Sequence, residues 1–351
     1  MKKPTRKYRR WNQIHARLSE KRSLESKRKL KARNRRKSGR RRSTGRVDNR
    51  RVVSVECPEI FSLEKNFAAV ARVLSRIRFH SRRRRNEGFY LDLRKIRELS
   101  PSAALVLAAE LDRWNKYRMG RRLKAVDVEE WDSDVHRLLS DMGFFDLLEV
   151  PGHRAKAQKS DADIRYVKFR TGAIADGQAI ENLREDDLEP MFGPLPGKVF
   201  LYNAVTEAMT NVVQHAYHDK KYRRPNWWLS ASHGPDGATI MIYDQGAGIP
   251  ATLPRKFQNQ IQMVLRDDHA RMIKAAHELS RTRTGESHRG HGLQRDVRGY
   301  LRQLSPGYYA VTSLRGKYAF ERLPNGSERE TLGSLSGSLR GTLIEWKIKN
   351  V

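Results

Sequence analysis

The sequence predicts an α/β protein built as a disordered basic tail (residues 1–51), a first α/β domain (52–150), a linker (151–162) and a second α/β domain (163–351). Three observations predict it. Strand-like and helix-like apolar patterns alternate after residue 52, which is the signature of layered α/β architecture. In the C-terminal half, a long amphipathic helix at Lys198–Tyr217 is followed by strands at Thr239–Tyr243 and from Gly341. The first 51 residues hold 23 Lys and Arg against 3 acidic residues, so most of the chain's net charge of +31 sits in one seventh of its length. That segment has no apolar period able to form a core. The remaining 300 residues have ordinary globular composition and exceed what one hydrophobic core usually organises.

Along the tail, KKPTRKYRR, KRKLKARNRRK and GRRRSTGR cluster charge that would release condensed counterions on meeting phosphates. DNA or RNA binding through residues 1–51 is the expectation, with a solvated solubility tail as the alternative. The one cysteine, Cys57, excludes an internal disulfide framework and a multi-cysteine zinc site, which fits a reducing compartment. Neither a signal-peptide apolar stretch nor an 18-residue apolar window is present, so the expected setting is cytoplasmic, without a membrane.

In the first domain, Phe89–Leu93 reads as a strand, Ser102–Tyr117 as a helix with Leu105, Ala108, Ala109 and Leu111 inward, and Leu123–Val128 as a second strand. Asp134–Met142 follows as a helix with Val135, Leu138 and Leu139 inward, closed by Gly143 ahead of Phe144 and Phe145. Ser100 fits an N-cap and Pro101 the first helical position of the preceding helix. The runs FYLDLRKIRELSPSAALVLAAELDRW, RLKAVDV and HRLLSDMGFFDLLEV resemble a STAS domain, the sulfate-transporter and anti-sigma-antagonist fold. Members that act as phosphorylation switches carry an Asp-Ser-Ser-Gly-like turn before the first long helix. Here that turn is Leu99-Ser100-Pro101-Ser102-Ala103, without the acidic residue and the glycine. The Pro-Gly pair at 151–152 and the polar stretch behind it read as linker.

The second domain carries the informative motifs. Lys198–Tyr217 has helical period, with Val205, Met209, Val212 and Ala216 on one side and Asn203, Glu207, Asn211 and His215 on the other. Taken alone, the polar row is the wet face of an amphipathic helix. Thr239–Tyr243 reads as a strand running into Asp244-Gln245-Gly246-Ala247-Gly248-Ile249-Pro250, where an acidic strand end can accept from an exocyclic amine and two glycines admit a flat ring. Arg289-Gly290-His291-Gly292-Leu293 opens an expected helix at Gln294–Gln303, a phosphate-nest pattern. Gly341-Thr342 begins the closing strand.

These four blocks, in this order, resemble the N, G1, G2 and terminal Gly-Thr boxes of the GHKL ATP-binding superfamily, and EAMTNVVQHAY is most similar to the N box of the anti-sigma-factor serine kinases. The resemblance covers residues 195–349 and implies a Bergerat-type α/β sandwich binding ATP and Mg²⁺. It implies that Asn211 ligates Mg²⁺ and that Glu207 is the catalytic residue, acting on a water or protein hydroxyl. It also implies that Asp244 binds the adenine amine with Thr342 in support, that Gly246 and Gly248 shape the adenine pocket, and that Gly290 and Gly292 hold the phosphates. Residues 250–289 would form a mobile lid. A two-component histidine kinase is set aside, because His80 and His136 lack the phosphoacceptor context. The expectation is therefore a Mg-ATP-binding regulatory protein, an ATPase or serine-kinase-like switch with a protein partner. The alternatives are a nucleic-acid-associated GHKL ATPase and a non-hydrolysing ATP sensor; a homodimer is compatible with each.

Overall fold

The computed structural model describes residues 52–82, 88–117, 125–150, 164–173, 181–182, 185–186, 189–192, 198–217, 226–235, 237–253, 268–279 and 307–348. The protein is a mixed α/β fold. The N-terminal segment contributes β1 (Val52–Glu56), β2 (Ile60–Phe61), α1 (Phe67–Arg82), β3 (Gly88–Asp92), β4 (Glu98–Leu99) and α2 (Pro101–Tyr117). A 3₁₀ turn at Val128–Glu130, α3 (Ser133–Asp141) and α4 (Phe144–Leu147) complete it. The C-terminal segment contributes β5 (Arg165–Gly172), α5 (Lys198–Asn211), β6 (Trp227–Gly234) and β7 (Gly237–Asp244). It ends with α6 (Ile249–Thr252), α7 (His269–Leu279), β8 (Gly307–Arg322) and β9 (Glu328–Ile348).

β1 and β3 pair in parallel, as do β2 and β4, and α1 provides the crossover that parallel strands require. α2 starts where the sequence places it, with Ser100 Oγ accepting from the Ala103 N–H at 3.3 Å and Pro101 opening the helix. Gly143, at φ 73°, takes the left-handed position that ends α3. The strand expected at Leu123–Val128 does not form in its described part. Residues 125–127 are irregular, and Asp127 is left-handed at φ 53°, a conformation that leads into the 3₁₀ turn and brings its carboxylate within 2.9 Å of the Tyr90 hydroxyl. Helix α1 has no counterpart in the sequence reading, and the linker 151–162 lies outside the described residues.

The C-terminal strands form one antiparallel sheet in the order β5-β6-β7-β9-β8. Both faces of this sheet are covered. Alternation along each strand divides its side chains between two cores. Trp227, Leu229, Ala231, Ile240, Ile242, Val311, Ile344 and Trp346 pack with Ala204, Val205, Ala208 and Met209 of α5. Trp228, Met241, Tyr243 and Leu343 face the other way, into a core shared with Val70 and Leu74 of α1 and Ala104 and Leu107 of α2. The segments expected as separate domains thus share apolar burial across one sheet face, where each large side chain contributes about 1.5–3 kcal/mol.

Two polar pairs are buried against α2. The Trp228 indole N–H donates to Asp112 Oδ2 at 2.9 Å, and Arg78 Nε pairs with Glu110 at 2.5 Å. Removing one partner of the buried Arg78–Glu110 ion pair costs about 3–5 kcal/mol, because a charge is then left buried without it. Among the described residues, no helix is long and apolar enough to cross a membrane.

Candidate functional site at the end of β7

Helix α5 turns Val205, Ala208 and Met209 into the core and leaves Glu207 and Asn211 half-buried one turn apart. The Asn211 amide N–H donates to Glu207 Oε1 at 3.4 Å, which leaves the Asn211 amide oxygen as the acceptor of that side chain. The helix then widens into a π-turn over Val212–Ala216, a local irregularity that often marks functional sites. This turn reaches the end of β7: the Ala216 carbonyl accepts from the Ala247 N–H at 2.9 Å. Close packing here demands glycine, since a Cβ on Gly246 would stand 2.3 Å from that same carbonyl oxygen.

Asp244 ends β7 directly opposite Thr342 on β9, on the sheet face that α5 covers. The Gly246 N–H donates to Asp244 Oδ1 at 2.7 Å, and Thr342 donates to the carboxylate through both its hydroxyl and its backbone. Beside them, Ser313 of β8 donates to the Gly341 carbonyl at 2.8 Å and accepts from the Ile249 N–H at 3.0 Å. One buried hydroxyl therefore ties the Asp244–Pro250 turn to Gly341, which lies in the middle of β9 and not, as the sequence suggests, at the start of the closing strand, because β9 begins at Glu328. Gly248, at φ 88° and ψ 151°, and Gly341, at φ 79°, hold backbone conformations that suit glycine.

Burial governs the electrostatics. The Asp244 carboxyl is pushed up to about 7 by desolvation, against the opposing pull of its bonds from Gly246 and Thr342. Tyr217, whose hydroxyl donates to the Asn226 carbonyl and accepts from the Gln245 N–H, is raised well above its ordinary value, chiefly by burial. A carboxylate has about four acceptor positions, so the three donors on Asp244 leave room for an amine. Among the described residues, no group of three or more His, Cys, Asp or Glu is placed to hold a metal ion. A divalent ion here would draw on Asn211 together with oxygens of a bound anion.

The structure brings Asp244, Gly246, Gly248 and Thr342 together, sets Glu207 beside Asn211, and links the two groups through the α5 end. Gly290, Gly292 and the helix expected at Gln294–Gln303 lie outside the described residues. The expected lid at 250–289 contains a packed helix: α7 lies against β8 with Ala270, Met272, Ile273 and His277 buried. Those side chains recur at helical spacing, so this part of the stretch has a core to join. Sequence reasoning missed Ser313, Tyr217 as an anchor, and the contact of Arg113 with Gln245; no motif marks Ser313, whereas Tyr217 closes the HAY run. No protein-family model matches the sequence, and no curated protein matches it significantly.

Proposed function

We propose that the protein binds Mg-ATP at the end of β7 and works as a regulatory ATPase or serine-kinase-like switch. The observation that carries the reading is the buried Asp244–Thr342 pair, closed by glycine turns and joined by the π-turn to the helix that bears Glu207 and Asn211. Asp244 suits recognition of the adenine amine, because a buried acceptor that loses its partner is penalised. Asn211 supplies the hard amide oxygen that Mg²⁺ prefers, and bound Mg²⁺ would neutralise phosphate charge. Glu207, one helical turn earlier, is the group to orient or deprotonate the attacking hydroxyl or water. Gly290 and Gly292 complete the reading as phosphate holders on the strength of the sequence resemblance alone.

Calorimetry of the full chain tests binding: wild type binds ATP only with Mg²⁺ present, and Asp244→Ala loses that binding. Glu207→Ala retains affinity and loses about 10²–10⁴-fold in turnover, whereas Asn211→Ala loses Mg²⁺ dependence. Absence of heat with wild type would sink the assignment; nucleotide binding without phosphate release or transfer would leave a sensor.

The 23 Lys and Arg of residues 1–51 favour a second reading, in which the same nucleotide site serves a nucleic-acid-associated ATPase. If six to ten phosphates are neutralised, affinity for duplex DNA or RNA falls about 10³–10⁵-fold between 50 and 200 mM salt. Deleting residues 1–51 removes most of that slope; equal slopes with and without the tail would reject this reading.

A further inference from the structure

Asp244 and Gln245 are chain neighbours that point to opposite sides of the sheet, and Gln245 is held from three directions. Its side-chain oxygen accepts from Arg113 Nη1 at 3.0 Å, on the outer turns of α2. Its backbone N–H donates to the Tyr217 hydroxyl at 2.9 Å, at the end of the α5 π-turn. Its carbonyl accepts from Arg340 Nε at 3.1 Å, on β9 just before Gly341 and Thr342. Gln245 is fully buried, and its Nε2 is without a hydrogen-bond partner, so Arg113 is the only side chain bonded to its amide among the described residues. A buried amide secured at one end only has its orientation set by that single donor.

From this geometry we infer that Arg113 is a positioning residue for the nucleotide turn, so that the N-terminal α2 layer sets nucleotide affinity through the Arg113–Gln245 bond. The inference rests on the Mg-ATP reading above. Displacement of the Gln245 backbone would disturb both the Tyr217 bond that anchors the turn to the end of the α5 π-turn and the Arg340 bond that anchors it to β9. Asp244 shares that backbone and would move with it, taking its carboxylate out of register with Thr342. Anything that shifts α2 therefore reaches the adenine-recognising carboxylate through the one residue that follows it. Coupling between two sites is commonly about 5–150-fold in affinity.

The test uses the full chain and compares Mg-ATP with Mg-tripolyphosphate, which lacks adenine. Arg113→Ala weakens Mg-ATP binding by about tenfold and leaves tripolyphosphate unchanged. Arg113→Lys, which keeps a cationic donor, recovers part of the loss. In Gln245→Leu, of similar volume, the ATP-specific loss reappears, and adding Arg113→Ala to it causes little further weakening. Gln245→Leu also serves should Arg113→Ala fail to fold. Unchanged ATP affinity in both variants, an equal loss for both ligands, or additive effects in the double variant would overturn the inference while sparing the nucleotide reading. Wild type that binds no ATP would overturn both at once.

Discussion

At the scale of single residues, Asp244 carries the conflict that defines the site. Its carboxyl is raised from an ordinary 3.8 to about 7 by burial, so the folded chain keeps the proton more tightly than the unfolded chain does. Below about pH 4 both states are protonated and nothing is lost. Between about pH 4 and 7 the unfolded chain ionises first, so the stabilising contribution disappears as pH rises and is gone above the folded value. Asp244→Asn removes this titration. The melting temperature of wild type relative to Asp244→Asn is therefore expected to fall across pH 4–7, and a pH-independent difference would contradict it. A donor arriving at the carboxylate would favour its ionised form, so Mg-ATP binding near pH 7 should release protons, measurable as a dependence of binding heat on buffer ionisation enthalpy.

Glu207 and Asn211 were legible as a pair because four residues make one helical turn, and the structure keeps them adjacent. Ser313 was not legible. Its role depends on β8 lying beside β9, which puts its hydroxyl within 2.8 Å of Gly341 and 3.0 Å of Ile249, residues more than 25 positions away. No local pattern encodes such an approach.

At the scale of elements, one glycine in a turn and one inside β9 show how backbone shape and packing combine. Gly341 and Gly326 have nearly the same left-handed φ, 79° and 80°. A Cβ on Gly326 meets nothing within 4 Å, whereas one on Gly341 would stand 2.0 Å from the Asp244 carbonyl oxygen. Gly326→Ala is thus expected to cost only the left-handed penalty, about 1–2 kcal/mol. Gly341→Ala adds a backbone collision and should lose clearly more stability, together with nucleotide affinity. Denaturant unfolding of the two variants separates the terms, and equal losses would show that the strand accommodates the added methyl group.

The elements predicted best were those with a long apolar run and a marked start. α2 matches its expected range because its apolar content is sustained over three turns, all of it buried from Ser102 to Asp112, and Ser100-Pro101 mark its start. The expected strand at 123–128 shares its apolar content with many strands, but Asp127 prefers the turn that its bond with Tyr90 completes. The expected lid likewise contains α7, whose apolar residues needed β8 to reveal their partner.

At the scale of the whole molecule, the central sheet is buried from both sides by helices from opposite halves of the sequence. A fragment starting at residue 160 would uncover Trp228, Met241, Tyr243 and Leu343 and strand Asp112's indole partner. Such a fragment is expected to bind a hydrophobic dye or aggregate, and adding residues 52–150 in trans should suppress this. A monomeric, dye-silent fragment would show that the two halves are energetically independent.

What the sequence determined by itself was whatever local chemistry dictates. It marked the charge density of residues 1–51, the α/β alternation, the helix that pairs Glu207 with Asn211, and the acidic strand end at Asp244 with its glycines. These rest on periodicity, capping and backbone freedom, which act over a few residues. Tertiary structure alone decided that Thr342 pairs opposite Asp244, that Ser313 ties the turn at Ile249 to Gly341 of β9, and that Arg113 reaches Gln245 across 132 positions. It also decided that α1 and α2 cover the sheet instead of forming a core of their own. The physical reason is that a strand's alternation reports two faces but not what covers each one. Burial of Trp228 and Tyr243 is satisfied by any apolar layer, and which layer arrives depends on the path of the whole chain.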